Sequence, residues 1–210
     1  MKLAREGVAF VMALGIATLV ANLLGYWWIG LGLLLLTLAV TCFFRDPERV
    51  VPLGDHVVAP ADGRVVAVDR EAHAETVAGE TFQRVAIFMS PANVHVNRVP
   101  SSGEVVSVKH TSGRFLAAYD ERSSMENERN EVVLRDLRGR LTVLVQVAGL
   151  LARRIVCNLH PGQRVEQGDR FGLIMFGSRV DVYLSPSARV LVRVGDRVRA
   201  GSVVLAEYPT

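Results

Sequence analysis

Three short segments of the chain carry side chains suited to proton transfer and nucleophilic attack. They are Pro60-Ala61-Asp62-Gly63, the stretch Ser90 to Pro100 around His95, and Phe176-Gly177-Ser178. A carboxylate, an imidazole and a serine hydroxyl are groups that acid–base and nucleophilic sites combine. Each also has an ordinary explanation, because Pro-x-Asp-Gly forms turns, a lone histidine is commonly structural, and Gly-Ser is frequent in loops. Their occurrence together is what indicates a site.

An uncharged apolar stretch, Gly7 to Phe44, precedes these segments. As one helix it would be about 57 Å long, nearly twice the bilayer's hydrocarbon thickness of about 30 Å. We therefore expect a membrane-anchoring hairpin over 1–44, with helices near 6–23 and 28–44. Basic residues flank both ends, namely Lys2, Arg5, Arg45 and Arg49. The positive-inside rule then predicts a cell (inner) membrane protein whose second domain is cytoplasmic. A signal peptide is the alternative, for which the stretch is too long.

The composition narrows the possible functions. There are 24 basic and 21 acidic residues, a net charge of +3, which is too even for a nucleic-acid binder. The two cysteines, Cys42 and Cys157, form no metal-ligand or disulfide pattern, so we predict small buried side chains and no metal site. The two lysines, Lys2 and Lys109, count against a pyridoxal-phosphate enzyme and against a carrier domain with a lysine at a hairpin tip.

Residues 45–210 read as a mainly β domain. β-rich runs separated by glycine-containing turns occur at 64–68, 84–89, 104–108, 131–134 and 141–147. A weak repeat between 163–171 and 194–201 pairs Gly-Asp turns with β-branched residues, as in lipoyl-like hairpins. We predict a β-sandwich or barrel-like domain. The polar stretch 114–128 is either a short helix or a loop.

With these segments in this order after an anchor, the sequence resembles the phosphatidylserine decarboxylase proenzymes in their short prokaryotic form. The resemblance covers nearly the whole chain and is carried by 60–63, 90–100, 126–130 and 170–181. It implies self-cleavage at Gly177-Ser178 into a β chain, 1–177, and an α chain, 178–210. Ser178 would become a covalent pyruvoyl cofactor. The implied reaction is decarboxylation of phosphatidylserine to phosphatidylethanolamine through a Schiff base, at the membrane, by an α–β heterodimer whose further oligomerisation is left open.

The residue types suit that cleavage. An N-to-O acyl shift needs a serine hydroxyl beside the preceding carbonyl, which glycine leaves unhindered, and a base to remove the hydroxyl proton. By resemblance Ser178, His95 and Asp62 are catalytic, with Asp62 and His95 orienting and performing proton transfer. Long-form members have a second histidine where this chain has Arg98. Either His95 serves both steps, or Arg98 binds the lipid phosphate while another group assists cleavage.

The resemblance also suggests substrate-binding residues, namely Asn97, Arg98, Glu128 and Asn130. A solvated polar loop is an equal alternative for Glu128 and Asn130. The remaining histidines match no motif and are expected to be structural or solvated: His56, His73, His110 and His160. Two rival functions stay open. One is a noncatalytic, membrane-tethered lipoyl-like adaptor module, and the other is the same chemistry on another phosphoserine lipid, such as an archaeal one.

Overall fold

The computed structural model describes residues 2–77, 79–114, 126–149, 154–175 and 178–209. The chain divides into two compact units, Met1–Glu48 and Arg49–Thr210. Gly177 and most of the stretch 114–128 lie outside the described residues, so helix and loop remain equal alternatives for that stretch.

The first unit is a helical hairpin. Helices α1 (Arg5–Leu23) and α2 (Trp27–Phe43) lie within one residue of the predicted bounds. Strands β1 (Lys2–Leu3) and β2 (Arg45–Asp46) pair antiparallel and join the two ends of the hairpin. Residues 45–48, which follow the apolar stretch, belong to this unit. Gly25 makes the turn between the helices with a φ of 81°, which favours glycine.

The hairpin exposes most of its apolar side chains. α1 is long and apolar enough to cross a membrane, at about 28 Å, and α2 is a shorter apolar helix. Thr18 of α1 and Thr37 of α2 approach to 3.5 Å between their hydroxyl oxygens. Cys42 is exposed, so the prediction that it is buried was wrong. Because α2 is apolar on every side, the small size of Cys42 does not predict which face of the helix it occupies.

The second unit consists of fourteen strands in its described part. They are β3 (His56–Val58), β4 (Gly63–Ala72), β5 (Phe82–Met89), β6 (Val96–Arg98), β7 (Gly103–Thr111), β8 (Arg129–Arg135), β9 (Leu141–Val147), β10 (Ile155–Cys157), β11 (Arg164–Val165), β12 (Arg170–Ile174), β13 (Ser178–Leu184), β14 (Arg189–Val190), β15 (Arg197–Val198) and β16 (Val204–Glu207). Every predicted strand is present, and most extend further than the β-rich run that marked them.

One large and two small sheets enclose the core. The eight-stranded sheet has the order β11-β7-β8-β9-β13-β5-β4-β15, and the three-stranded sheets are β10-β12-β6 and β14-β16-β3. Neighbouring strands are antiparallel throughout. A single cluster of buried side chains joins all three sheets, including Val57, Ile87, Leu144, Phe171 and Leu205. The prediction of a mainly β fold that follows a helical hairpin in the sequence is confirmed.

The second unit is an internal duplication. Strands β3, β4, β5, β13, β14, β15 and β16 form one half, and β6 to β12 form the other. Exchanging the halves leaves the order of all three sheets unchanged. The register of β4 breaks between Val65 and Ala67, and that of β7 breaks between Val105 and Ser107, 40 positions later. The segments 163–171 and 194–201 lie in equivalent parts of the two halves, but their Gly-Asp turns do not match. The amides of Gly162 and Gly195 donate to the equivalent carbonyls of Val105 and Val65, so Gly195 corresponds to Gly162 and not to Gly168.

The halves are tied together by reciprocal hydrogen bonds. The amide of Val58 in one half donates to the Pro100 carbonyl of the other at 2.9 Å. The amide of Arg98 in the second half donates to the Pro60 carbonyl of the first at 2.8 Å. Since the two bonds occupy equivalent positions, each half completes the backbone pairing of the other.

The second half is inserted into the first. Strands β8 and β9 are joined by the short turn at 136–140. Strands β5 and β13 hold the equivalent positions in the other half, but residues 90–177 separate them in sequence. Ser178 therefore begins β13 at the point where the other half has its hairpin turn.

Candidate active site

Ser178 is a fully buried residue at the start of a central strand. β13 pairs with β5 on one side and β9 on the other, and Ser178 lies opposite Met89, the last residue of β5. Side chains alternate along a strand, so Ser178 shares the core-facing side with Val180 and Val182. Its hydroxyl donates to the Met89 Sδ at 3.6 Å. A thioether is a weak acceptor, so this contact holds the hydroxyl proton only loosely.

A row of buried amides continues from Met89. The Asn97 Nδ2 donates to Met89 Sδ at 3.8 Å, and the Gln146 Nε2 donates to the Asn97 Oδ1 at 2.9 Å. The Asn130 Nδ2 donates to the Gln146 Oε1 at 3.1 Å. All three amide side chains are buried. Asn130 also hydrogen-bonds the Cys157 thiol, whose pKa is raised by burial. Buried amides are costly without partners, and these supply one another.

His95 lies in the connection from β5 to β6, which starts directly after Met89, and is buried. Its Nδ1 lies 2.9 Å from the Asn93 carbonyl oxygen. A carbonyl only accepts hydrogen bonds, so Nδ1 carries a proton and the neutral ring has its lone pair on Nε2. Asn93 is itself fixed, because its Oδ1 accepts from the amide and hydroxyl of Ser90. The connection thus holds one tautomer of His95, with Nε2 as the basic atom.

Asp62 is buried at the turn into β4. Its Oδ1 accepts from the Ala200 amide at 2.8 Å, and its Oδ2 from the Arg49 guanidinium at 2.7 Å. At the equivalent position of the other half, the Ser102 hydroxyl accepts from the Gln167 amide at 2.9 Å. Bracing the turn is therefore a role that both halves require. The negative charge and its pairing with Arg49 distinguish Asp62, and its catalytic role stays a prediction.

Arg98 is buried in β6, 5% exposed. Its Nη1 donates to the Gly168 carbonyl at 2.9 Å. Its Cδ lies 2.9 Å from the place that a Cβ would take at Gly201, where φ is 70°. The Arg49 Cβ lies 3.7 Å from the same point, so the two arginines and Asp62 surround one turn. The structure thus places Arg98 with Asp62 and Arg49, and its predicted contact with lipid phosphate remains untested.

The other predicted substrate-binding residues lie in two environments. Asn97 and Asn130 belong to the buried amide row. Glu128 directs its Oε1 to the Nε2 of His110, 3.7 Å away, in a partly exposed position, while its carbonyl accepts from the Ala148 amide at 3.0 Å. Asn130 is buried in β8 and so does not belong to a solvated loop, whereas for Glu128 both the substrate site and the polar loop stay predictions.

A buried ion pair follows Ser178 directly on the opposite face of the sheet. The Arg179 Nε donates to the Asp181 Oδ1 at 2.7 Å, and the Arg179 Nη2 to the Asp181 Oδ2 at 3.1 Å. The Nη1 of Arg84 lies 3.7 Å from the Asp181 Oδ2. No role was predicted for these residues, although their spacing of two on a strand predicts a shared face. None was predicted for Met89 and Gln146 either, which contact residues distant in sequence.

The comparisons with known proteins agree on one family. The sequence profile described as "Phosphatidylserine decarboxylase" matches residues 36–206. The chain belongs to the phosphatidylserine decarboxylase family. Proteins named "Phosphatidylserine decarboxylase proenzyme" align over almost full length. The one from Syntrophus aciditrophicus is 43% identical over 98% of this chain and 97% of its own. Those from Nitrosomonas eutropha and Geotalea uraniireducens are 45% and 46% identical, over 98% and 99% of this chain and 95% and 97% of theirs.

Family membership confirms the resemblance noted from the motifs and makes the chain a decarboxylase. It favours the enzyme over the noncatalytic adaptor module, for which the lipoyl-like hairpins were the main support. The roles of individual residues in this decarboxylase are not decided by the comparisons, so Ser178, His95 and Asp62 remain predicted catalytic residues.

Proposed function

We propose that this decarboxylase converts phosphatidylserine to phosphatidylethanolamine with a pyruvoyl group that it makes from Ser178 by cutting the Gly177-Ser178 bond. The observation that carries the proposal is the position of Ser178. It is a buried serine at the first residue of a central strand, with a loosely held hydroxyl proton and His95 in the connection that leaves the paired strand. The names of the related proenzymes support both the substrate and the processing.

The cleavage balances without an external oxidant. The Ser178 Oγ adds to the Gly177 carbonyl carbon, the amide C–N bond breaks, and the hydroxyl proton passes to nitrogen, leaving an ester. Loss of the Ser178 α proton and the Cβ–O bond then releases the Gly177 carboxylate. Water finally replaces the nitrogen of the remaining unsaturated residue, which leaves as ammonia. The His95 Nε2 is the proposed base, because Nδ1 is committed to the Asn93 carbonyl.

The surroundings of Ser178 fit the proposed group. A ketone oxygen accepts hydrogen bonds, and the nearby amide row presents a donor, the Asn97 Nδ2, on the same side of the sheet. When formed, the group supplies an electrophilic carbonyl that takes up the electrons left by departing carbon dioxide. The residues of the chain bind the substrate and transfer protons to it. Burial strengthens their hydrogen bonds by excluding water, and His95 returns a proton to the substrate carbon.

The two chains produced by cleavage would stay together as a heterodimer. The α chain, residues 178–210, contains β13 to β16. β13 is hydrogen-bonded on both edges to strands of the β chain, β15 pairs with β4, and β16 pairs with β3. Separation would expose a strand from the middle of the core. The cut therefore changes the covalent connection and leaves the sheets intact.

The helical hairpin supports a location at the membrane. Exposed apolar side chains cover α1 and α2, among them Ile16, Leu19, Trp28, Leu35 and Leu38. Helices covered with exposed apolar side chains are typical of contact with lipid. The basic residues that flank the hairpin support a cytoplasmic catalytic domain at the inner membrane. A two-chain phospholipid does not leave the bilayer readily, so an anchored enzyme meets its substrate where the substrate resides.

Intact-mass analysis of the purified protein tests the processing. We expect two chains, 1–177 and 178–210, the second beginning with a pyruvoyl group. Ser178→Ala should give one uncut chain, and Ser187→Ala, an exposed serine in the turn before β14, should be cut like the wild type. Wild-type protein that is folded but uncut would contradict the proposal.

The substrate is tested on cleaved enzyme with three compounds. These are vesicles of phosphatidylserine, vesicles of an ether lipid with the same phosphoserine headgroup, and soluble phosphoserine. Release of carbon dioxide from phosphatidylserine at the highest kcat/KM supports the proposal. A preference for the ether lipid would instead support the archaeal-type alternative, because only the lipid tails differ between the two kinds of vesicle.

A further inference from the structure

We propose that Gln146 is a positioning residue for Ser178, acting through Asn97 and Met89. This inference rests on the proposed function, because it concerns the cleavage at Ser178 and the carbonyl formed there. Gln146 is fully buried in β9, and the hydrogen bonds of its side chain join it to Asn97, Asn130 and Val156 rather than to Ser178. It acts by fixing the orientation of Asn97 and, through it, the place of the Met89 sulfur.

The Met89 sulfur is where the row meets Ser178. It accepts from the Ser178 Oγ at 3.6 Å and from the Asn97 Nδ2 at 3.8 Å. Methionine has an unbranched side chain with several rotatable bonds, so its sulfur has no fixed place unless its neighbours provide one. The Asn97 amide provides it. The place of the acceptor that the Ser178 hydroxyl meets therefore depends on which way Asn97 faces.

Gln146 decides the orientation of Asn97. The Gln146 Oε1 is occupied by the Asn130 Nδ2, and the Gln146 Nε2 lies 3.4 Å from the Val156 carbonyl, which only accepts. The Gln146 atom beside that carbonyl must therefore be the donor Nε2. The same Nε2 lies beside Asn97, whose Oδ1 accepts from it at 2.9 Å. With its oxygen used in this way, Asn97 turns its Nδ2 to Met89. Every amide in the row donates in the same direction, towards Ser178.

The duplication shows that the fold does not require this row. Leu184 of β13 holds the position in its half that Gln146 of β9 holds in the other, judged from the equivalent pairings of β13 with β5 and of β9 with β8. Gln83 holds the position equivalent to Asn130, but its amide donates to the Ala188 carbonyl at 2.7 Å in a turn. One half thus packs a leucine where the half beside Ser178 buries a glutamine. A buried polar group without a structural need points to a role in chemistry.

The test is Gln146→Glu in the full-length chain. This substitution keeps an acceptor for Asn130 and replaces the donor to Asn97 by an oxygen, so Asn97 should rotate and present its own oxygen to Met89. Gln83→Glu is the control, because it makes the same change on the same side of the sheet, at a half-buried position at the end away from Ser178. The measurements are the rate of Gly177-Ser178 cleavage in freshly synthesised protein, the midpoint of thermal unfolding, and kcat and KM per cleaved chain.

We expect cleavage about tenfold slower in Gln146→Glu than in Gln83→Glu, the loss of about one hydrogen bond. The unfolding midpoint should be lower in Gln146→Glu, because only that carboxylate is fully buried. The kcat per cleaved chain should change more than KM, because the row reaches the reacting centre through the Met89 sulfur. Cleavage and kcat that fall only as much as in the control would overturn the inference. Absence of cleavage in the wild type would instead contradict the proposed function.

Met89→Leu carries the test if the glutamate variant does not fold. Leucine conserves volume and removes only the sulfur acceptor, so the core should tolerate it. We expect slower cleavage in this variant, since neither Ser178 nor Asn97 retains its acceptor there. Wild-type cleavage by Met89→Leu would show that the sulfur does not link Asn97 to Ser178 and would overturn the inference.

Discussion

Two equivalent pairs of neighbouring strands in the large sheet, β8 with β9 and β5 with β13, are connected differently, and the connections lie at opposite ends of the strands. At one end β8 and β9 are joined by the turn 136–140, which Asp136 braces: its Oδ1 accepts from the amides of Arg138 and Arg140 at 2.9 and 2.8 Å. At the other end β5 and β13 take the equivalent positions, and 88 residues of sequence, 90–177, replace the turn. The pairing of β5 with β13 runs without a register shift from Met89 opposite Ser178 to Gln83 opposite Leu184.

This difference shows that the pairing of β5 with β13 does not depend on a short turn between them. The strands that a hairpin turn would hold together are held instead by β4 and β9 on their outer edges and by the core beneath them. The predicted cleavage site lies at the end where no short turn joins the two strands. Changes at equivalent positions of the two halves can therefore separate what the fold requires from what cleavage requires.

The largest expected effect comes from the buried ion pair that only one half contains. Arg179 and Asp181 are equivalent to Leu141 and Val143 of β9. Arg179→Leu leaves the Asp181 carboxylate buried without its bidentate partner, and we expect the free energy of unfolding to fall by about 3 kcal/mol. Urea unfolding of the detergent-solubilised protein measures it.

The double variant Arg179→Leu/Asp181→Val copies the other half and should recover most of that loss, because well-packed apolar residues often replace a buried ion pair at little cost. A double variant as unstable as the single one would mean that the two halves do not pack alike at this site.

A methyl group at two equivalent glycines should have the next largest effect. A Cβ at Gly63 would lie 2.1 Å from the Phe88 carbonyl oxygen, and one at Gly103 would lie 2.4 Å from that of Arg135. The backbone must shift in both, so we expect Gly63→Ala and Gly103→Ala each to destabilise by about 1–3 kcal/mol in the same measurement.

Only Gly63→Ala should also slow cleavage, since Phe88 precedes Met89, whereas Arg135 precedes the intact turn. Equal cleavage rates in the two variants would weaken the contrast drawn between the two ends.

A smaller effect should separate the two turn-bracing side chains. Ser102→Ala removes the acceptor for the Gln167 amide, and we expect a loss of about 1 kcal/mol with normal cleavage. Asp62→Asn keeps an oxygen for the Ala200 amide and removes the charge paired with Arg49. If Asp62 orients a catalytic base, that variant should be cut slowly at nearly wild-type stability. Normal cleavage would leave Asp62 with the structural role it shares with Ser102.

The smallest expected effect concerns a pair of equivalent positions with opposite charges. Arg84 pairs with Asp69 in one half, whereas Glu131 and Lys109 occupy these positions in the other. Burial raises the pKa of Glu131 above its ordinary value of 4.5. Folding therefore favours its protonated form, and the stability gained below pH 4.5 is lost as the pH rises through the folded-state pKa.

Glu131→Gln removes that loss and keeps an oxygen to accept from the Thr76 amide. We expect a small rise in the unfolding midpoint at neutral pH, compared with the wild type, that disappears in acid. A rise that is the same at all pH values would show that the charge of Glu131 is not its cause.

The sequence predicted individual helices and strands better than it predicted how the strands are arranged in the two halves. Runs such as Leu141 to Val147 show strand composition, and the apolar stretch shows two helices, because these signals lie within a few neighbouring residues. The 40-residue repeat between Ala59-Pro60-Ala61-Asp62-Gly63 and Val99-Pro100-Ser101-Ser102-Gly103 was available too. It shares little more than a proline and a glycine, and so did not stand out.

The site was predictable only where its residues form a motif. Gly177-Ser178 and His95 occur in recognisable segments, whereas Gln146 is one polar residue in an apolar strand. Its partners come from β6, β8 and β10, and only the packing of two sheets brings them together. Alternation along β9 predicts that Gln146 faces inward but not what it meets there. Contacts of this kind depend on strand order, which local sequence does not encode.

Ser178 occupies the first position of a strand that is hydrogen-bonded on both edges, and this has a consequence for the lifetime of the enzyme. A prosthetic group made from that residue cannot dissociate, be exchanged or be reloaded, because its replacement would require removing a strand from the middle of a folded sheet. Each polypeptide would make its reactive carbonyl once. Any side reaction that consumed it would retire the whole molecule, and the cell could restore activity only by translating a new chain.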